Sequence, residues 1–170
     1  IMFGAKDLGI AVDWKFQFKS EGSSLDPLPC TVFVDTGNKL TYGIIDTHQA
    51  VGHESSSSAL VANPHFVLNH LMQGLNETYA RGFGFERNEI TFIYCTHANP
   101  DWDSVASFCL CDHLVREGKF PAGYQALAEA ADEIDQGRVR IADAPVRPFT
   151  VYNAIINNQE DRDECARRAK

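Results

Sequence analysis

The sequence predicts an α/β domain: a mainly parallel sheet flanked by helices. Three observations carry this. "EITFIYC", residues 89–95, is an almost wholly apolar run of strand length, as expected of a strand buried on both faces. Apolar runs of this kind alternate with helix-like stretches along the chain. Residues of metal-ligand type fall just after the strand runs, where open α/β sheets collect their sites.

The elements follow in order. Residues 1–29 read as an N-terminal extension or appendage; within them "VDWKFQFKS" alternates like a strand and "EGSSLDPLP" is a turn-rich linker. "CTVFVDTGN" is an apolar strand ending in Asp35 and a turn at Gly37. "KLTYGIIDTHQ" is a second strand ending in Asp46 and His48, joined to the first through "GNK" in a connection close to a hairpin. "HESSSSALVANP" is a loop running into a helix. Pro64 starts another, with Phe66, Val67, His70, Leu71 and Leu75 at near-helical spacing. After "EITFIYC" and a loop, "SVASFCLCDHLVREG" is a helix stopped by Gly118. "PAGYQALAEAADEIDQG" is a helix with Pro121 near its start and Gly137 at its end. "RVRIAD" reads as a final strand, and residues 151–170 as a polar tail helix. The main domain spans 30–150.

The formal net charge is −8, and the basic residues are scattered apart from Arg162, Arg167, Arg168 and Lys170. A long duplex track needs a basic stripe that displaces counterions, so binding of long duplex nucleic acid by this piece is not expected. No apolar run approaches the ~20 residues of a membrane span, so no membrane partner is expected. The cysteines, Cys30, Cys95, Cys109, Cys111 and Cys165, are odd in number and irregularly spaced, which fits a reducing cytoplasmic setting and not a disulfide framework. Cys109, Cys111 and His113 do not read as a zinc site, since helical neighbours two apart point to different faces. The chain opens on Ile1, which suggests a piece of a longer protein; other domains of that chain, or further copies of this one, are then expected partners.

The chemistry concentrates in "CTHANPDWDSVASF", residues 95–108, where His97, Asp101 and Asp103 lie within seven residues. One imidazole among several carboxylates suits Mn²⁺ or Mg²⁺, in one or two ions. Two aspartates separated by one residue can serve adjacent ions, with a carboxylate such as Asp35 bridging them. The plainer alternative is that Asp103 caps the helix that follows and that Asn99-Pro100-Asp101 is an ordinary turn. Trp102 could wall the crevice or stack a base, or simply pack on a neighbour.

"THANPDWDSVAS" resembles the first signature of the DHH phosphoesterase superfamily: a His, three residues, Asp-x-Asp, then a helix start of small residues. It is closest to the branch containing the manganese-dependent inorganic pyrophosphatases. "VDTG" resembles the second signature and "GIIDTHQ" the Asp-His-His signature. In "ALAEAADEIDQG", Asp135, or less well Asp132, takes the place of a fourth aspartate. The first signature here follows the others, so the order is circularly permuted, and Thr47 stands where the family has a ligand histidine; His53 is a substitute in reach.

The resemblance implies one ion held by His97, Asp101 and Asp35, and a second by Asp103, Asp35 and Asp135. It implies His48 as the catalytic group facing the phosphate, with Asp46 orienting it. Ser56 and Ser57, at the helix start, and Trp102 would contact substrate, although the serines also fit a plain helix cap. The implied activity is hydrolysis of a small phosphate ester, a nucleotide or a short oligonucleotide by metal-activated water. The alternative is a degenerate, non-catalytic DHH-like module that binds or scaffolds within a larger protein.

Overall fold

A computed structural model of the chain describes residues 4–20, 24–49, 54–80 and 89–138. The expected strand "RVRIAD" (beyond Arg138), the tail helix 151–170 and His53 lie outside the described residues.

The architecture is α/β. A five-stranded, mostly parallel sheet is formed by β1 (Ala11–Lys19), β2 (Thr31–Val34), β3 (Leu40–Thr41), β4 (Ile44–Ile45) and β5 (Glu89–His97), in the order β1-β5-β2-β4-β3. Its helices are α1 (Ser56–Ala62), α2 (Pro64–Ala80), α3 (Trp102–Glu117) and α4 (Tyr124–Asp135), with a short 3₁₀ turn at Ala5–Leu8.

Strand side chains alternate between faces, and the packing follows that parity. Val32, Val34, Ile45, Phe92 and Tyr94 share one core with Leu60 of α1, Leu68 and Leu71 of α2, and Leu110 and Leu114 of α3. Phe33, Ile44 and Cys95, of the opposite parity, form a smaller cluster with Leu25. Full burial of each large aliphatic side chain contributes about 1.5–3 kcal/mol, enough to fix the strand register and hence the relative positions of the strand ends.

Two expectations need correction. Residues 11–19 are not an appendage: β1 pairs in parallel with β5 along its whole length. Its polar residues alternate with Val12 and Trp14, which turn inward, and Trp14 meets Phe92 at 5.5 Å and donates from Nε1 to Asp112 at 2.7 Å. The second correction concerns the connection after β2. β2 and β4 are parallel, and the tight hairpin joins β3 to β4 through Tyr42-Gly43. Positive φ at Asp35, Gly37 and Asn38 turns the chain outward after β2, so β3 runs back on the outer edge and β4 returns beside β2. Gly43 has φ 78°, and a Cβ there would lie 2.6 Å from the His70 imidazole, so the turn demands glycine. His70 itself is satisfied, with Nε2 2.9 Å from the Leu28 carbonyl and 3.0 Å from that of Thr31.

The helix boundaries follow their local chemistry. Ser55 caps α1, accepting from the Ser58 N–H at 3.2 Å. Asp101 caps α3, which ends at Gly118 in the left-handed conformation. Among the described residues no helix is long and apolar enough to cross a membrane.

Candidate metal centre

The site lies at the carboxyl ends of β2 and β5. β2 leads on toward β4 on one side, whereas β5 lies on the other side of β2 and leads into α3. Such a reversal opens a crevice between neighbouring strand ends. The parallel register pairs Phe33 with Cys95. Two residues further on, on the same face, stand Asp35 and His97.

Asp35 takes φ 58°, a left-handed conformation that aspartate tolerates better than most residues. Its N–H donates to the Ile45 carbonyl at 2.9 Å, which fixes the turn. Oδ2 lies 2.9 Å from His97 Nε2 and accepts from Ser104 Oγ at 2.7 Å; Oδ1 accepts from Ser56 Oγ at 3.3 Å. Asp101 completes the cluster from the cap of α3, where its Oδ1 accepts from the Ser104 N–H at 3.1 Å. Ligand atoms of Asp35, His97 and Asp101 all lie within 4.8 Å of one another. Two carboxylates and an imidazole at this spacing could hold a metal ion.

The electrostatics favour a cation there. Burial pushes the Asp101 carboxyl up, and the charge of Asp35 adds to that. Asp35 is held below the ordinary range: burial opposes this, but hydrogen bonds from His97 and Ser104 outweigh it. A divalent ion between them would relieve the repulsion of the two carboxylates.

Beside this group sit Asp46 and His48. Asp46 Oδ2 accepts from the Asn38 N–H at 2.7 Å; its Oδ1 accepts from the His48 N–H at 3.1 Å and lies 2.7 Å from His48 Nδ1. The hydrogen bond to Asp46 raises the His48 pKa to about 9; burial opposes the shift, and the charges of Asp35, Asp46 and Asp135 add to it. Asp35, Thr36, Asn38, Asp46, His48, His97 and Asp101 line a cavity of about 300 Å³.

The other expected site residues stand outside the group at metal-ligand spacing. Asp103 does not join the cluster. It is 2 % exposed, and its Oδ2 and Oδ1 accept the Ser56 and Ser57 N–H groups at 2.7 and 3.0 Å, so it caps the start of α1 from a neighbouring element. The N–H groups of that start are therefore taken by Asp103, and Ser56 and Ser57 are both buried. Ser57 Oγ pairs with Ser107 Oγ at 2.9 Å. Trp102 is buried against Ala106 and Ala131, with Leu127 and Ile134 around it, between α3 and α4. Asp135 ends α4, where its charge acts on His48 and Asp103. Asp132 accepts the Ser55 N–H at 2.7 Å and supports the start of α1. Thr47 donates its hydroxyl to the Glu54 carbonyl.

Three residues escape the sequence reading. Ser104 bridges the site, donating to Asp35 while accepting from Thr96 Oγ1 at 3.0 Å and lying 3.1 Å from His97 Nε2. Its one signal is its place three residues after the Asp101 cap. Thr36 and Asn38 also line the cavity; Thr36 lies within "VDTG", whose resemblance points to Asp35 alone.

No protein-family model, no curated protein and no solved structure matches this chain. What the site can do is read from its own chemistry.

Proposed function

We propose that this protein is a metal-dependent phosphohydrolase or phosphodiesterase of DHH-like type, acting on a small phosphate ester, a nucleotide or a short oligonucleotide. The observation that carries the proposal is the convergence of Asp35, His97 and Asp101 within 4.8 Å, beside the Asp46–His48 pair. Three separate loops supply these groups at one end of the sheet. A permuted order of signatures is compatible with such a site, because it is built from strand ends and not from chain order.

Asp35, His97 and Asp101 would hold Mn²⁺ or Mg²⁺. When bound, the ion supplies an activated water and neutralises phosphoryl charge. Asp46 fixes the His48 ring by its hydrogen bond to Nδ1 and keeps it protonated at neutral pH. A cationic His48 on the cavity wall would bind a phosphoryl oxygen and stabilise the charge that develops on it. Ser104 holds Asp35 in place from behind. A cavity of about 300 Å³ is at the small end of ligand pockets, which favours a small phosphate ester.

The test is hydrolysis of bis-p-nitrophenyl phosphate, pyrophosphate and a short oligonucleotide with and without Mn²⁺. Turnover that needs Mn²⁺ and is lost in Asp101→Ala is the expected result. Turnover indifferent to both would sink the proposal. A second reading, a non-catalytic module that keeps the fold and binds a ligand, draws on the commitment of Thr47 and Asp103 to structural hydrogen bonds. It predicts Mn²⁺ binding without turnover of any of the three substrates.

A further inference from the structure

We infer that the centre takes one divalent cation per chain and not a pair; this rests on the proposed metal site and deepens it. A second ion beside the first would have to share Asp35 and recruit the neighbouring acidic groups. The structure engages Asp103 and Thr47 in hydrogen bonds elsewhere, and Asp135, at the end of α4, stands outside the group at metal-ligand spacing.

Asp103 is the nearest in sequence, and both of its carboxylate oxygens accept backbone N–H groups at the buried start of α1. The Ser57 hydroxyl, 3.3 Å from the Asp103 carbonyl, locks the same contact. Turning Asp103 toward an ion would strip two buried donors of their acceptor. Thr47, 7 % exposed, points its hydroxyl at the Glu54 carbonyl. The far oxygen of Asp35 is also engaged. Oδ1 takes the Ser56 hydroxyl, and His48 Nδ1 stands 3.7 Å from it. The imidazole thus fills the flank of Asp35 that a bridged second ion would need. Among the described residues, Asp35, His97 and Asp101 alone gather at metal-ligand spacing.

The experiment is a Mn²⁺ titration of the purified chain, followed by calorimetry and by electron paramagnetic resonance. One Mn²⁺ per chain is expected, with a six-line mononuclear spectrum at saturation and no exchange-coupled signal. Asp101→Asn should weaken binding by at least about tenfold, and Asp103→Asn should leave the stoichiometry at one. Should Asp103→Asn not fold, Thr47→Ala serves in its place with the same expectation. Two ions per chain with a coupled spectrum, or loss of one of two ions in Asp103→Asn, would overturn the inference and leave a metal-dependent reading standing. No Mn²⁺ binding at all would overturn both.

Discussion

His97 Nε2 lies 2.9 Å from Asp35 Oδ2, joining the ends of two neighbouring parallel strands. The contact ties an imidazole to a carboxylate that could hold a cation together with it. A ligand that binds only the folded chain stabilises it by mass action, about 2.7 kcal/mol at a hundred times its dissociation constant. Mn²⁺ should therefore raise the thermal midpoint of the wild type by several degrees, reversibly on chelation. In His97→Ala the rise should vanish. An equal rise in both, measured by scanning calorimetry, would place the ion elsewhere.

The pH behaviour of His48 provides an independent check in the metal-free protein. Its folded pKa is raised to about 9 from an ordinary 6.5, chiefly by the hydrogen bond to Asp46. The stabilisation is therefore complete below about pH 6.5 and is lost as pH rises through about 9. Asp46→Asn should return the His48 titration, followed by NMR, toward its ordinary value. It should also flatten the decline in stability across that window. A His48 titration unmoved by the substitution would show that the ring is not held by Asp46.

Asp103 should matter to the fold more than to the metal. Removing its carboxylate in Asp103→Ala leaves the Ser56 and Ser57 N–H groups buried without an acceptor, at a cost of about 2–5 kcal/mol in urea unfolding. Its pKa is pushed up to about 7, first by burial and then by the charge of Asp35. The folded chain keeps this proton where the unfolded chain has released it, so stability falls as pH rises from about 4 to 7. Asp103→Asn lacks that dependence. The stability of the wild type relative to this variant should thus be smaller at pH 8 than at pH 5.

Helices α1 to α3 and strand β5 were legible because their signals are local: apolar periodicity, Ser55 before α1, Pro64 opening α2, Asp101 before α3, glycine after Glu117. The place of β1 was not, because its Asp13, Lys15 and Gln17 read as solvent-facing and only pairing with β5 reveals the inward side. The candidate metal group was legible in part. Asp35, His97 and Asp101 stand at strand ends and a cap, where pattern and position agree. Of the Asp-x-Asp pair, Asp103 stands outside the group at metal-ligand spacing, because residues two apart at a helix start face nearly opposite ways. Asp101 therefore faces the cavity while Asp103 faces α1. Ser104 was missed because a serine near a helix start already has an ordinary explanation.

Ser104 should tune the metal affinity without touching the ion. Its hydroxyl donates to Asp35 at 2.7 Å and lowers that carboxyl's pKa. In Ser104→Ala the orientation of Asp35 is lost while all three candidate ligands remain. Mn²⁺ affinity should fall about 10–100-fold, with the stoichiometry unchanged. Calorimetric titration giving wild-type affinity would remove Ser104 from the site.

Trp102 stands between the candidate ligand Asp101 and Asp103, which caps α1, and its role separates packing from binding. The ring is buried with Ala106 and Ala131 and does not line the cavity around Asp35. Trp102→Ala should cost about 3–5 kcal/mol in unfolding free energy, as expected for deletion of a large core side chain. Trp102→Phe keeps most of the apolar contact and should cost less. If the ring serves packing alone, Trp102→Phe at a temperature where it stays folded should bind Mn²⁺ as the wild type does. It should also turn over phosphate substrates with an unchanged KM. A raised KM with undiminished stability would instead mean that the ring reaches the substrate. Helix α3 would then have to rotate its first turn away from α4, carrying the Asp101 cap with it, and Mn²⁺ affinity would fall in parallel.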